Sequence, residues 1–394
     1  MSDEPRVHPR AVRTALRRSD LSGTFLVGKY ALAPYMACGH GCAYCDGRAE
    51  RYWVEGDFQR DIVARRNLPD LLAHELRKLR EPGFITLGSG ITDAYQPVEA
   101  DEQLTRRCAE VLSGHAFPVT VITKSALPMR DLDLWRTVNE RSRFLLVVSL
   151  VHPGDRTRAE FEPGASSVPE RIELLRSFRA AGCATGVLAM PLLPGLTDGP
   201  NEIRELYDRL AEVGVDFIQP GGLTLRPGRQ KDFFMRRLRE THEELVPVYD
   251  DRYRENRRSG APLATYKTAV DELTLAENAR TAIPRLVPHH VYAGLLAPYD
   301  EAAVLLRHMV ELYSSSGVDT ARLRAATARY LDRLTARKRE YNRHPSWDYR
   351  ELSEEILVPG ALESMIGNDR LATLLRRVLL ERAVFDYSTL TLRG

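Results

Sequence analysis

The 394-residue chain has little cysteine and less lysine than its basic character suggests: five residues are cysteine, and of 56 basic residues six are lysine and fifty arginine. In the reducing cytoplasm expected for this chain, clustered cysteines point to metal or catalysis and not to disulfides, and two of the five, Cys108 and Cys183, stand alone and read as small buried hydrophobes. Excess charge is missing as well. The formal net charge is +2, so no global field draws in phosphates, and the arginine bias reads as genomic composition. Long apolar runs are absent. Nothing approaches the roughly 18 apolar residues a membrane span needs, and the polar start of the chain has no apolar signal core, so a cytoplasmic location away from membranes is expected. Internal repeats and low-complexity tracts are lacking too. An apolar fraction of 43% and a charged fraction of 28% suit an ordinary soluble globular protein and name no function.

What is present is alternation. From residue 68 to 245, helix-period stretches alternate with short β-branched runs, the pattern of a parallel α/β sheet or barrel. The expected strands are Phe25–Ala33, Phe84–Leu87, Val119–Thr123, Phe144–Leu150, Ala184–Met190 and Phe217–Leu225. The expected helices are Leu68–Arg80, Glu99–Gly114, Asp131–Arg141, Val168–Ala181, Asn201–Val213 and Gln230–Leu245. Six βα units make a partial (β/α)6 barrel, and parallel strands gather function at their C-terminal ends. Beyond residue 246 the β signal fades, and Ala302–Tyr313, Ala321–Tyr341 and Leu371–Phe385 read as amphipathic helices. The expected organisation is therefore a polar extension over 1–23, the barrel over 24–245 and a mainly helical appendage over 246–394.

The most specific string is Cys38-Gly39-His40-Gly41-Cys42-Ala43-Tyr44-Cys45, three thiols at spacings of four and three in one glycine-containing loop. Thiolates so spaced can converge on a soft metal centre, and iron–sulfur clusters are held mainly by cysteine. Three thiols on a four-iron cubane would leave one iron without a protein ligand. Zinc is the alternative, but it normally asks for a fourth Cys or His, and His40 sits awkwardly between two ligands.

This CxxxCxΦC string, with Tyr44 as the aromatic Φ, resembles the signature of the radical S-adenosylmethionine superfamily. The strings Gly88–Pro97, Ile122–Ser125, Arg130-Asp131 and Pro191–Asp198 further resemble the spore photoproduct lyase family, the DNA repair photolyase-like branch, over about residues 30–245. The resemblance implies a 4Fe-4S cluster on Cys38, Cys42 and Cys45 and S-adenosylmethionine bound at its open iron. It implies Gly88, Ser89 and Gly90 around the methionine amino group, Lys124 facing the carboxylate, and Ser149 on carboxylate or ribose. Met190, Pro191 and Tyr44 would lie against the adenine. A reductant such as flavodoxin or ferredoxin is implied as partner, and the expected product is a 5'-deoxyadenosyl radical that abstracts hydrogen.

One departure stands out. The family's lyases carry a hydrogen-donating cysteine just upstream of the glycine-rich loop, and here that strand reads Phe84-Ile85-Thr86-Leu87. Three readings of function follow: a radical enzyme related to DNA repair lyases with an unassigned substrate, a radical enzyme modifying a peptide or small metabolite, or a nucleic-acid-binding protein with a structural cluster. The last would use Arg229, Arg236, Arg237 and Arg239, interleaved with Phe233 and Phe234. Asp93 and Asp198 fit helix caps as well as active-site groups.

Overall fold

The computed structural model describes residues 4–19, 21, 26–52, 55–88, 90–343 and 348–393. Its strands are β1 (Arg6–Pro9), β2 (Leu16–Arg18), β3 (Gly28–Leu32), β4 (Tyr35–Met36), β5 (Asp61–Ala64), β6 (Phe84–Leu87), β7 (Val119–Thr123), β8 (Phe144–Ser149), β9 (Ala184–Leu192), β10 (Phe217–Gly222), β11 (Val384–Asp386) and β12 (Thr391–Arg393). Strands β6 to β10 pair in parallel, with Val121 opposite Leu146 and Val147 opposite Gly186, and the sheet order runs β10-β9-β8-β7-β6-β3-β2. Every residue of β8 is buried, as a parallel strand covered on both faces should be. The α/β architecture is the one the alternation predicts.

Four local differences have physical causes. The stretch 99–114 is not one helix but two, Glu99–Glu102 and Leu104–Ser113, parted at Gln103 with φ +48°. The Glu99 carboxylate accepts the N–H groups of Thr105 at 2.8 Å and Arg106 at 3.1 Å, capping the second helix from outside. The polar segment at Arg6–Pro9 is a strand, pairing parallel with β5 while Arg6 grips Asp61 at 2.7 Å. The expected helix Leu371–Phe385 ends at Glu381, where Arg382 turns left-handed and the chain enters the antiparallel β11–β12 hairpin. A helix at Asp155–Phe161, bracketed by Pro153-Gly154 and Pro163-Gly164, has no counterpart in the sequence reading.

Two compact units divide the chain differently from the sequence boundary at 245. The first comprises Met1–Arg17, Ala31–Arg77 and Ile85–Arg285; the second comprises Arg18–Tyr30, Lys78–Phe84 and Leu286–Gly394. The helices Val246–Arg252 and Ala264–Thr281 therefore belong with the barrel strands. Asn278 shows why: it accepts the Tyr207 hydroxyl at 3.1 Å and donates to the Ile283 carbonyl at 2.9 Å.

The second unit closes its own core around Tyr299, Leu305, Leu306, Tyr330, Leu352 and Leu375. Within it the buried Lys29 ammonium pairs with Asp300 at 2.6 Å and Glu81 at 3.0 Å. His308 is also enclosed there, its Nδ1 at 2.6 Å from the Tyr387 hydroxyl and its ring edge-on to Tyr292. Burial, helped by His289 and Arg307, lowers its pKa to about 3. A base kept neutral in the fold binds fewer protons than its unfolded counterpart between pH 3 and 6.5, so stability falls as pH drops through that window. The slope expected from one such group is about 1.4 kcal/mol per pH unit. Urea midpoints between pH 7 and 4 check it: His308→Gln should flatten the curve by roughly one proton, and an unchanged slope would refute the assignment.

Among the described residues no helix is long and apolar enough to cross a membrane.

Candidate active site

The cysteine loop follows β4, and its conformation is set mainly by residues far away in sequence. Cys38 and Cys42 are buried, Cys45 is half-buried, and all are free thiols. The string after β6 forms the loop's cradle. Thr92 donates its hydroxyl to the Ala37 carbonyl at 2.8 Å, and Gln96, fully buried, accepts the Gly39 N–H at 2.7 Å. Asp93 reaches both the loop and the end of β7: it receives His40 Nε2 at 3.0 Å, the Thr123 hydroxyl at 2.9 Å and the Lys124 N–H at 2.8 Å. Asp93 is therefore a brace and not a helix cap. Burial opposes its ionisation, but His40 and the N–H donors hold its carboxyl below the usual range.

A second clasp comes from the turn after the helix Asp155–Phe161. Ala43 N–H donates to the Phe161 carbonyl at 2.8 Å, Gly164 N–H donates to the His40 carbonyl at 3.0 Å, and His40 Nδ1 returns to the Gly164 carbonyl at 2.8 Å. A Cβ at Gly164 would lie 2.6 Å from the Gly39 carbonyl oxygen, so only glycine admits this approach. Beside it, Glu162 accepts the Tyr44 phenol and, at 2.5 Å, Arg171 Nη2, while Arg171 Nη1 donates to the Ser149 carbonyl at 2.8 Å. A hydrogen-bonded chain thus runs from Tyr44 to the end of β8. Glu162 and Arg171 are both fully buried, and although burial pushes the other way, Arg171, Lys124 and His152 keep the Glu162 carboxyl well below the carboxylate range. His152, also fully buried, stands 4.0 Å from Glu162 with no partner on either ring nitrogen, and burial lowers its pKa to about 4.

The last barrel helix supplies a third clasp. Gln230 donates to the Tyr44 carbonyl and to Asp46, each at 2.9 Å, and Thr224 donates to Asp46 at 2.8 Å. Arg48 donates to the carbonyls of Gly41 and Cys42, each at 3.0 Å, and lies 3.7 Å from the Phe233 ring centre.

The residues expected around a cofactor are distributed as follows. Gly88 ends β6 with φ +92°, and a Cβ there would lie 2.6 Å from the Ile122 carbonyl oxygen, so the strand end requires glycine. Ser89 lies outside the described residues. Gly90 is exposed, with open space where a Cβ would stand. Lys124, ending β7, holds its ammonium 5.8 Å from the Tyr44 ring centre. Ser149 is buried at the end of β8. Met190 packs against Gly221 of β10 and precedes Pro191 through a cis peptide bond. The Arg130-Asp131 string is structural: Arg130 pairs with Glu99 at 2.7 Å and Asp131 at 2.8 Å. Asp198 likewise anchors the turn after β9, accepting Gly195 N–H at 2.6 Å and the Tyr266 hydroxyl at 2.8 Å. Cys108 and Cys183 are buried away from other thiols, as single small hydrophobes.

Residues 32–210 match the Radical SAM superfamily. The chain belongs to the radical SAM superfamily. It is 31% identical over 233 residues to an uncharacterized protein of Mycobacterium tuberculosis, covering 57% of this chain and 67% of that protein. It is 29% identical over 171 residues to an uncharacterized protein of Methanocaldococcus jannaschii, covering 43% of this chain and 62% of that one. A radical SAM Nalpha-GlyT isomerase of Pseudomonas phage M6 is 27% identical over 34% of this chain and 28% of its own. In fold it is similar to a spore photoproduct lyase solved with dinucleoside spore photoproduct, at TM-score 0.52 and 17% identity, over 70% of this chain and 79% of the other.

Radical SAM enzymes work with a 4Fe-4S cluster and S-adenosylmethionine, and these are the cofactors of this enzyme. The donor set fits a cluster. Burial raises all three thiols, Cys42 to about 12, while Lys124 acts in the opposite sense on Cys42, and Lys124 and Arg48 do so on Cys45. Iron binding here would displace those thiol protons, and the two cations would favour the thiolates that remain. Among the described residues no three His, Cys, Asp or Glu groups converge on a single-ion site, whereas in a cubane each thiolate binds a different iron.

Sequence reasoning missed Glu162, Arg171, His152, Gly164 and Arg48, and gave no role to Gln96 although it lies in the Gly88–Pro97 string. The one available signal was Pro163-Gly164, whose glycine marks a close backbone approach.

Proposed function

We propose that this radical SAM enzyme seats its cluster on Cys38, Cys42 and Cys45 and acts on a nucleic-acid substrate by hydrogen abstraction. The observation that carries the reading is the set of three free thiols on one triply clasped loop, with the Lys124 ammonium facing Tyr44 between two of them. When bound, the cluster and S-adenosylmethionine supply an electron and a 5'-deoxyadenosyl radical. This chain's residues bind and orient. Lys124 would meet the methionine carboxylate, Gly88 and Gly90 would take the amino group through their backbone, and Ser149 would meet carboxylate or ribose. Tyr44, Met190 and Pro191 flank the adenine. The electron comes from a reductant of the flavodoxin or ferredoxin kind.

Two observations favour nucleic acid. A solved structure of similar fold holds a dinucleoside photoproduct. Beside the cysteine loop, Phe58, Phe233, Arg229 and Arg236 line a cavity of about 310 Å³ together with Glu50, Asp57 and Asp232, so its aromatics could stack on bases while its charges balance and Arg48 stays committed to the loop. Arg237 is committed elsewhere, donating to the Glu160 carbonyl at 2.9 Å. The reaction differs from lyase chemistry that returns hydrogen through a cysteine. Strand β6 carries no thiol, and Cys108 is sealed in the helix Leu104–Ser113.

Anaerobic reconstitution followed by dithionite should yield 5'-deoxyadenosine from S-adenosylmethionine; a structural cluster would yield none. DNA should bind with an affinity that falls steeply as salt rises, and binding indifferent to salt refutes the nucleic-acid reading. Lys124→Ala should weaken S-adenosylmethionine binding about tenfold, roughly the 1.4 kcal/mol of one charge-assisted hydrogen bond, with the cluster's absorbance intact. Loss of the cluster itself would refute the role given to Lys124.

A further inference from the structure

Glu162 is a charged group with no task in the proposed cofactor contacts. It is fully enclosed, held by the Tyr44 phenol on one side and Arg171 at 2.5 Å on the other. Arg171 is itself pinned by the carbonyls of Ser149 and Ser166, each at 2.8 Å, so the carboxylate cannot swing away. Tyr44 stands between two of the three cysteines. A fixed charge in a water-poor interior acts over several ångströms with little screening, and charges around a cluster shift its potential.

We infer that Glu162 is a potential-setting residue: its buried carboxylate, held by Tyr44 of the cysteine loop, keeps the cluster's reduction potential lower than it would otherwise be, and Tyr44 and Arg171 fix it in place. An added electron meets the carboxylate's negative charge, so the reduced state rises in energy and becomes the stronger donor. Arg171 offsets only part of this at Cys42, and Lys124 acts there against Glu162 more strongly than Arg171 does, so Glu162 accounts for its own contribution and not for the sign of the whole surrounding charge. The unpartnered imidazole of His152, 4.0 Å away, adds no compensating hydrogen bond. The inference rests on the cluster seat proposed above.

The test is an EPR-monitored redox titration of the anaerobically reconstituted full chain without S-adenosylmethionine, preceded by iron and sulfide analysis. Glu162→Gln should load as much iron and sulfide as the parent and titrate at a clearly higher potential, while Glu162→Asp, which keeps the charge, should stay near the parent value. Should Glu162→Gln not fold, Glu162→Gln combined with Arg171→Gln leaves no unmatched buried charge and should shift in the same direction by less. Equal potentials in loaded parent and variant overturn the inference alone. A parent without iron and sulfide overturns the seat, and the inference with it. Folded variants that fail to load iron would make Glu162 an assembly residue and likewise overturn its electrostatic role.

Discussion

Replacing any one of Cys38, Cys42 or Cys45 by alanine should abolish the iron–sulfur absorbance and all formation of 5'-deoxyadenosine, while leaving the fold standing. Two thiolates cannot hold a cluster that needs three, so the loss is complete and not graded. The fold survives because the loop is shaped by side chains other than its thiols: Asp93, Gln96, Glu162 and Gln230 keep their bonds when a sulfur is removed. Circular dichroism should match the parent, and iron and acid-labile sulfide should fall to background. A single cysteine variant that retains a full complement of both would refute the ligand assignment. Cys108→Ala and Cys183→Ala are the controls, since both thiols are buried outside the loop.

The second large effect is expected at Asp93. Asp93→Ala deletes the acceptor for His40, Thr123 and the Lys124 N–H at once, in a place where water does not substitute. Leaving a buried donor without its acceptor costs about 1–3 kcal/mol, and several are left so here. Asp93→Asn keeps the size and part of the acceptor capacity and should cost less. Urea unfolding measures the first part of this claim, and the iron-to-chain ratio after reconstitution the second. Both should fall together in Asp93→Ala, because the same carboxylate holds the loop and the end of β7. A variant with parent stability would show that the brace contributes nothing.

The architecture was legible because its signals are local. Strand β7 is expected and found at Val119–Thr123, and the helix Ala321–Tyr341 has the same limits in both, since period and turn residues lie within a few positions of the structure they report. The cysteines were legible for the same reason. The clasps were not. His40 meets Asp93 across 53 positions, Tyr44 meets Glu162 across 118, and Gln230 reaches Tyr44 across 186. Pairings at such separations leave no periodic trace, and each partner read singly is an ordinary polar residue. The helix Asp155–Phe161 escaped because seven residues between two Pro-Gly pairs are too few to show a period. Strand β1 escaped because Arg6, His8 and Pro9 read as a polar tail, although Arg6 and His8 both serve Asp61 on its partner strand.

The triple clasp also dictates an order of events in the cell. While the ribosome has made the cysteines but not yet Glu162 or Gln230, the cysteine spacings exist without the scaffold that aligns them. On the cluster seat proposed above, metal loading would be a late maturation step, carried out on a nearly finished barrel, with iron entering an already prepared cavity where it would not have to gather the chain around itself.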